Sequence, residues 1–383
     1  MKIKFLYLLL LLLLIISCRE EFFMDDVKSE QLIVVDGFVT NDAPPYIIKL
    51  SLSSLTSEPK NIPFSNCEVI INDDKGTIEK LTEISQGVYS SSKTGVQGTV
   101  GNKYQLSIKT PKGKQYRSDP QEMKESIEID TVSAELAYLQ GVDFPYSLPG
   151  YQFYISTKAT TTQENYFFWD MSETYEYDVD NELKFIETRF GEIIYSNPRY
   201  DTLKTCWKTN KVNYFFTGKT TNLEVPLITN KPLHFVSTET KKLTKRYSLL
   251  VNQFVIDKNA YNYWKNIESQ ISNDNFLSTT QPFNSVGNIK NVNNPEEKIW
   301  GYFTVASISN KRIFINRPIA PFYYPTCVVI TDARSISEYK RTHRDPYFYV
   351  EVSVGEYGIT AERCLDCRNY GGKPSKPSFW INK

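Results

Sequence analysis

The chain has 383 residues, with 44 Lys and Arg against 44 Asp and Glu and a formal net charge of zero. A balanced chain has no basic surplus to hold phosphates, which argues against a nucleic-acid partner. Its two histidines, His234 and His343, are too few for a three-histidine metal site, and its 26 Tyr and 22 Phe favour strands.

At the amino terminus, Met1-Lys2-Ile3-Lys4 precedes an apolar run over residues 5–16. As a helix this run would reach roughly 18 Å at ~1.5 Å per residue, short of the ~30 Å hydrocarbon core. Residues 1–17 therefore read as a secretory leader rather than a membrane span. The leader ends in Ile15-Ile16-Ser17-Cys18, the pattern of a bacterial lipobox. There a cysteine is required because its thiol becomes a thioether to diacylglycerol. Acylated Cys18 would hold the chain on the outer-membrane bilayer, and several acyl chains anchor far more firmly than one. Residues 18–30 become a lipidated tether. Within it, Arg19-Glu20-Glu21 and Asp25-Asp26 resemble the surface-export signal of some outer-membrane lipoproteins; the alternative is a merely solvated tether. The expected location is the outer membrane, facing outward.

Residues 31–120 read as strand and turn. Segments 32–40, 46–52, 67–71, 77–81, 87–90, 103–109 and 114–118 are short and β-rich, with no helical stretch between them. This spacing predicts an Ig-like β-sandwich. Asn72-Asp73-Asp74-Lys75-Gly76 is acidic, but a calcium loop needs six or more oxygens at fixed offsets. A hairpin needs only Asn, Asp and Gly at its positive-φ positions, so the segment reads as a turn. Cys67 alternates with Val69 and Ile71 and reads as a small buried hydrophobe.

Polar residues 120–126 look like a seam, after which residues 127–383 form a larger β-rich domain with one inserted amphipathic helix. Residues 151–156 and 166–171 are aromatic strands. Over 173–180, Tyr175, Tyr177 and Val179 share one face, and Glu176, Asp178 and Asp180 the other. An acidic face suits an edge strand protected from edge-to-edge pairing. The functional alternative makes Tyr175 and Tyr177 part of a partner or ligand surface. Asp257 caps a helix over 257–271, with Ala260, Tyr261, Trp264, Ile267 and Ile271 on one stripe. Such a stripe suits docking on a sheet; the alternative is a sugar platform of Tyr261, Tyr263 and Trp264, with Tyr263 and Trp264 the candidates for a partner or ligand surface. Residues 298–307 and 311–316 return to strand.

Setting Cys18 and Cys67 aside leaves Cys206, Cys327, Cys364 and Cys367. In an oxidising envelope these form two disulfides. A redox role for Cys364-Leu365-Asp366-Cys367 would need a helix N-terminus to lower a thiol pKa, yet Gly371-Gly372-Lys373-Pro374 follow. Zinc is the other alternative. A bridge across two intervening residues closes little loop, so Cys364 and Cys367 are expected to reach Cys206 and Cys327 separately, in either order.

Several segments carry a family likeness. They are 246–254, Ala260-Tyr261-Asn262-Tyr263-Trp264, Gln281-Pro282, Gly287-Asn288-Ile289, Gly301-Tyr302-Phe303, 311–315, Cys206-Trp207 and the ending from Cys364 to Trp380. Together they resemble the bacterial lipoproteins catalogued as domain of unknown function 4249, over nearly the whole mature chain. Many relatives have a further Cys after Gly-Asn-Ile, where this chain has Lys290 and Asn291. The resemblance implies an outer-membrane lipoprotein encoded beside TonB-dependent receptors, and it brings no catalytic residues.

The chain contains no Gly-x-Ser-x-Gly, no phosphate loop and no His-Glu-x-x-His. The expectation is a non-catalytic lipoprotein without metal or cofactor, an accessory to a TonB-dependent transporter in substrate capture or uptake. Its rivals are a surface glycan-binding or adhesive protein, and a hydrolase built on a carboxylate pair.

Overall fold

A computed structural model describes residues 31–54, 60–140, 147–158, 164–195, 202–220, 227–272 and 287–381. The leader, Cys18, the acidic tether and Gln281-Pro282 lie outside the described residues. The described chain is mainly β, as expected, and is arranged in four sheets.

The amino-terminal strands follow a two-residue period. In Lys103–Lys109 the side chains of Tyr104, Leu106 and Ile108 are buried while their neighbours face outward. Ile33–Thr40, Ile47–Leu52, Val88–Ser90 and Thr82–Ser85 form one layer. Ile78–Lys80, Glu68–Asp73, Lys103–Lys109 and Gln115–Ser118 form the other. Val35, Ile48, Leu50, Val69, Ile71, Tyr89 and Leu106 fill the space between them. The 72–76 segment is a turn, as expected: Asp73 Oδ1 accepts from the amides of Lys75 and Thr77 at 2.9 and 2.8 Å. Cys67 is only half-buried, packed at the margin of this core.

The sandwich is completed from far down the chain. Ile289–Asn291 pairs with Gln115–Ser118, and Trp300–Asn316 runs beside Ile33–Thr40. This 17-residue strand is the spine of the molecule. Its residues 300–306 pair in parallel with Ile33–Thr40, and its residues 307–316 pair antiparallel with Arg246–Ile256. Phe303 and Val305 enter the sandwich core, and Ile313 and Ile315 pack on the next one.

The spine closes tightly against its neighbour. Gly301 has φ +96°, and a Cβ there would lie 1.8 Å from the Val35 carbonyl oxygen, so only glycine fits. Gly287 meets the Gly301 carbonyl just as closely, at 2.1 Å from a would-be Cβ. Asn288 then donates to the Phe303 carbonyl at 2.8 Å and accepts from its amide at 3.0 Å.

Beyond the spine, Arg246–Ile256, Tyr166–Asp178 and Thr205–Lys211 continue the same sheet. A three-stranded sheet (Ile129–Gln140, Ser147–Lys158, Leu227–Ser237) covers one face. Between them lie Phe153, Ile155, Phe167, Trp169, Met171, Leu249 and Val251. Gln253 and Trp169, polar groups buried in this layer, satisfy one another. Gln253 accepts from Trp169 Nε1 at 2.9 Å and donates to the Ile127 carbonyl at 2.6 Å. Helix α1 (Lys258–Ser272) covers the opposite face, as predicted, against Phe168, Phe254 and Tyr302.

A smaller four-stranded sheet holds Ile193–Ile194, Leu183–Glu187, Tyr347–Ser353 and Glu356–Thr360. A second helix, α2 (Ala333–Thr342), is absent from the sequence reading; it is capped by Asp332, which accepts from Ser335 N at 2.8 Å. It packs Ile336 and Tyr339 on Tyr347, Tyr349 and Ile359.

Candidate functional site

Tyr166–Asp178 is not the edge strand that its acidic face suggests. It lies between Arg246–Ile256 on one side and Thr205–Lys211 with Phe216–Lys219 on the other. Tyr175 and Tyr177 are therefore buried rather than displayed, at 9% and 1% exposure. Burial, with Glu173 beside it, pushes the Tyr175 hydroxyl up to about 12. Burial likewise pushes Tyr177 up to about 12. Neither forms a partner or ligand surface.

The acids are countered by one short segment, Lys241-Lys242-Leu243-Thr244-Lys245. Lys245 reaches Glu176 at 2.9 Å and Asp178 at 3.1 Å. Lys241 reaches Asp180 at 2.7 Å. At the buried end, Glu173 meets Lys242 Nζ at 2.7 Å and accepts from the Tyr247 hydroxyl at 3.0 Å. His234 Nε2 stands 3.9 Å from the same carboxylate, too far for a hydrogen bond, and has no hydrogen-bond partner. Burial alone would raise the Glu173 carboxyl; the adjacent imidazole, ammonium and phenol outweigh it and lower it to about 2. A carboxylate so firmly ionised and so fully partnered holds elements together, whereas a general acid needs a pKa nearer its working pH. The matching signal in the sequence was the run of lysines at 241–245.

Both disulfides form between the expected cysteines, and the structure orders them. Cys206 joins Cys367 and Cys327 joins Cys364, with Cα separations of 5.6 and 5.9 Å. The Cys364-Leu365-Asp366-Cys367 segment is two tight turns rather than a helix start, Glu362–Cys364 and Cys367–Tyr370. Asp366 caps the second, accepting from Arg368 N at 2.9 Å. The Tyr177 hydroxyl donates to the Cys367 carbonyl at 2.6 Å. A Cβ at Gly372 would stand 2.3 Å from that hydroxyl, and Gly371 has φ +79° where the second turn ends, which together account for the glycine pair. The tail then bridges Trp207 and Lys373 through two 2.8 Å backbone bonds and buries Trp380.

Tyr263 and Trp264 are half-buried on the face of α1 that packs on the sheet. Trp264 stacks on Phe38 with centroids 5.8 Å apart and donates Nε1–H to Thr304 at 3.2 Å. Tyr263 packs on Tyr302 at 4.9 Å. Their faces serve the sheet, and Tyr261 packs on Tyr166 with centroids 5.2 Å apart, so the sugar-platform alternative loses all three of its candidates. No group of three or more His, Cys, Asp or Glu close enough to hold a metal occurs among the described residues.

These features define a disulfide-tied, multi-sheet β protein with a covalently fastened tail. The chain belongs to the family described as domain of unknown function DUF4249, whose model matches residues 19–312. The matched range stops short of Cys327 and of the ending from Cys364 to Trp380, the latter being one of the segments that carry the family likeness. No curated protein and no solved structure matches the chain.

Proposed function

We propose that this protein is a non-catalytic lipoprotein of the outer membrane, anchored through Cys18, that assists a TonB-dependent transporter in the capture or uptake of a substrate. The observation that carries the reading is the pair of cystine bridges, which span 161 and 37 residues. Stable bridges of this kind belong to an oxidising compartment. They agree with the apolar leader ending in Ile15-Ile16-Ser17-Cys18. Anchoring would confine the body to the membrane plane and raise its effective concentration beside a neighbouring receptor.

The mass of the mature amino-terminal peptide tests the anchor: a cysteine carrying a thioether-linked diacylglycerol and an N-acyl chain is expected, and an unmodified Cys18 would remove it. Affinity purification from detergent-solubilised outer membrane tests the partner. A co-purifying TonB-dependent receptor is expected, and repeated recovery of the protein alone would end the transporter reading.

A further inference from the structure

We infer that the cleft beside the Cys327–Cys364 bridge is a binding site for a small organic anion with a flat, apolar body. The cleft has a volume of about 710 Å³, in the range of small-molecule sites. One wall is the 325–330 segment and another is the turn that follows Thr360; the disulfide pins the two walls together. Ile330 and Ile359, joined by a backbone bridge, supply apolar surface. Helix α2 adds a flat aromatic face, because His343 lies on Tyr339 with centroids 3.9 Å apart and planes 9° from parallel.

Charge gives the cleft a direction. Arg363 lines it, and its guanidinium makes no hydrogen bond or ion pair among the described residues. No carboxylate lines the cleft. The acid behind it, Asp180, is already occupied by Lys241 at 2.7 Å and by the Cys327 amide at 3.0 Å. The far rim is the carbonyl end of α2, where His343 caps the helix, and that end carries partial negative charge. An anionic group is thus favoured at Arg363, whose planar fork suits a carboxylate, with the flat body lying toward the Tyr339–His343 stack. This site needs neither the anchor nor the transporter: it is a property of the folded body and lies outside the residues matched by the family.

The full-length chain, purified in a maltoside detergent, is titrated calorimetrically with 1-naphthoate and with the neutral 1-naphthalenemethanol, each against a detergent blank. One-to-one binding of naphthoate is expected, at least tenfold tighter than the alcohol. Arg363→Glu should weaken naphthoate at least tenfold, and Arg363→Lys should weaken it less. Val328→Trp, at a position 78% exposed on the cleft wall, should block entry, with thermal melts establishing that each variant is folded. Absent naphthoate binding, equal binding of the alcohol, or affinity unchanged in Arg363→Glu or in Val328→Trp overturns the assignment.

Discussion

Between residues 31 and 123 the chain builds a sandwich on alternating apolar strands, and its cysteine there, Cys67, stays a free thiol. The small sheet around Tyr347–Ser353 is made differently. Its two faces bury only a handful of side chains each, Ile186, Phe348, Val350 and Leu365 on one and Tyr347, Tyr349 and Ile359 on the other. The Cys327–Cys364 bridge lies beside it, and Cys206–Cys367 ties the tail that follows it to the core of the large sheet. Where a layer is too small to be held by buried apolar area, covalent bridges restrict the unfolded chain instead. The sandwich depends on packing, and the carboxy-terminal part depends on cross-links.

The strongest test removes the buried bridge. Cys206→Ala with Cys367→Ala opens a loop with a sequence separation of 161 and is expected to cost about 5 kcal/mol in denaturant unfolding. A loss below about 1 kcal/mol would show that packing alone suffices there. Next comes Phe303→Ala, at a fully buried position where the spine enters the sandwich, expected to cost about 4 kcal/mol. Hydrogen exchange should then rise in both Ile33–Thr40 and Arg246–Ile256. A rise confined to the first would mean that the two regions open independently.

A third test uses pH. The Glu173 carboxyl is lowered from 4.5 to about 2 in the folded state. A depressed carboxyl contributes stability that is complete above 4.5 and is lost as pH falls toward 2, a contribution of about 3 kcal/mol. Melting temperature followed from pH 5 to pH 2 should drop steeply in the native chain and less steeply in Glu173→Gln. Parallel curves would place the acid sensitivity elsewhere. The smallest effect is one of order. Under mild thiol, Cys327 and Cys364 should be alkylated before the fully buried Cys206 and Cys367, with sandwich exchange unchanged; peptide masses give the sequence of events.

Much of this was legible from local pattern. A period of two set out the seven amino-terminal strands, and a capped apolar stripe located α1. Cysteine arithmetic found the bridged residues, while loop closure could not order them, because either pairing closes long loops. Tyr166–Asp178 was misread because its carboxy-terminal half shows a clean acidic face. Phe167 and Phe168, buried on opposite faces, already marked a strand covered on both sides, and the lysines at 241–245 marked partners for the acids. Helix α2 was missed because it is ten residues long and has no buried residue of its own. The spine was legible only as two strands, 298–307 and 311–316; its parallel pairing escaped notice because the partner lies more than 250 residues away in the chain, which no local window can see.

The parallel pairing of Ile33–Thr40 with residues 300–306 has a mechanical meaning. A pull on residue 31, resisted through residues 307–316, drags the two strands past one another lengthwise. The rungs from Val34–Trp300 to Thr40–Ala306 then bear the load together instead of parting one at a time. The end at which the body would be tugged is thus the end that yields last.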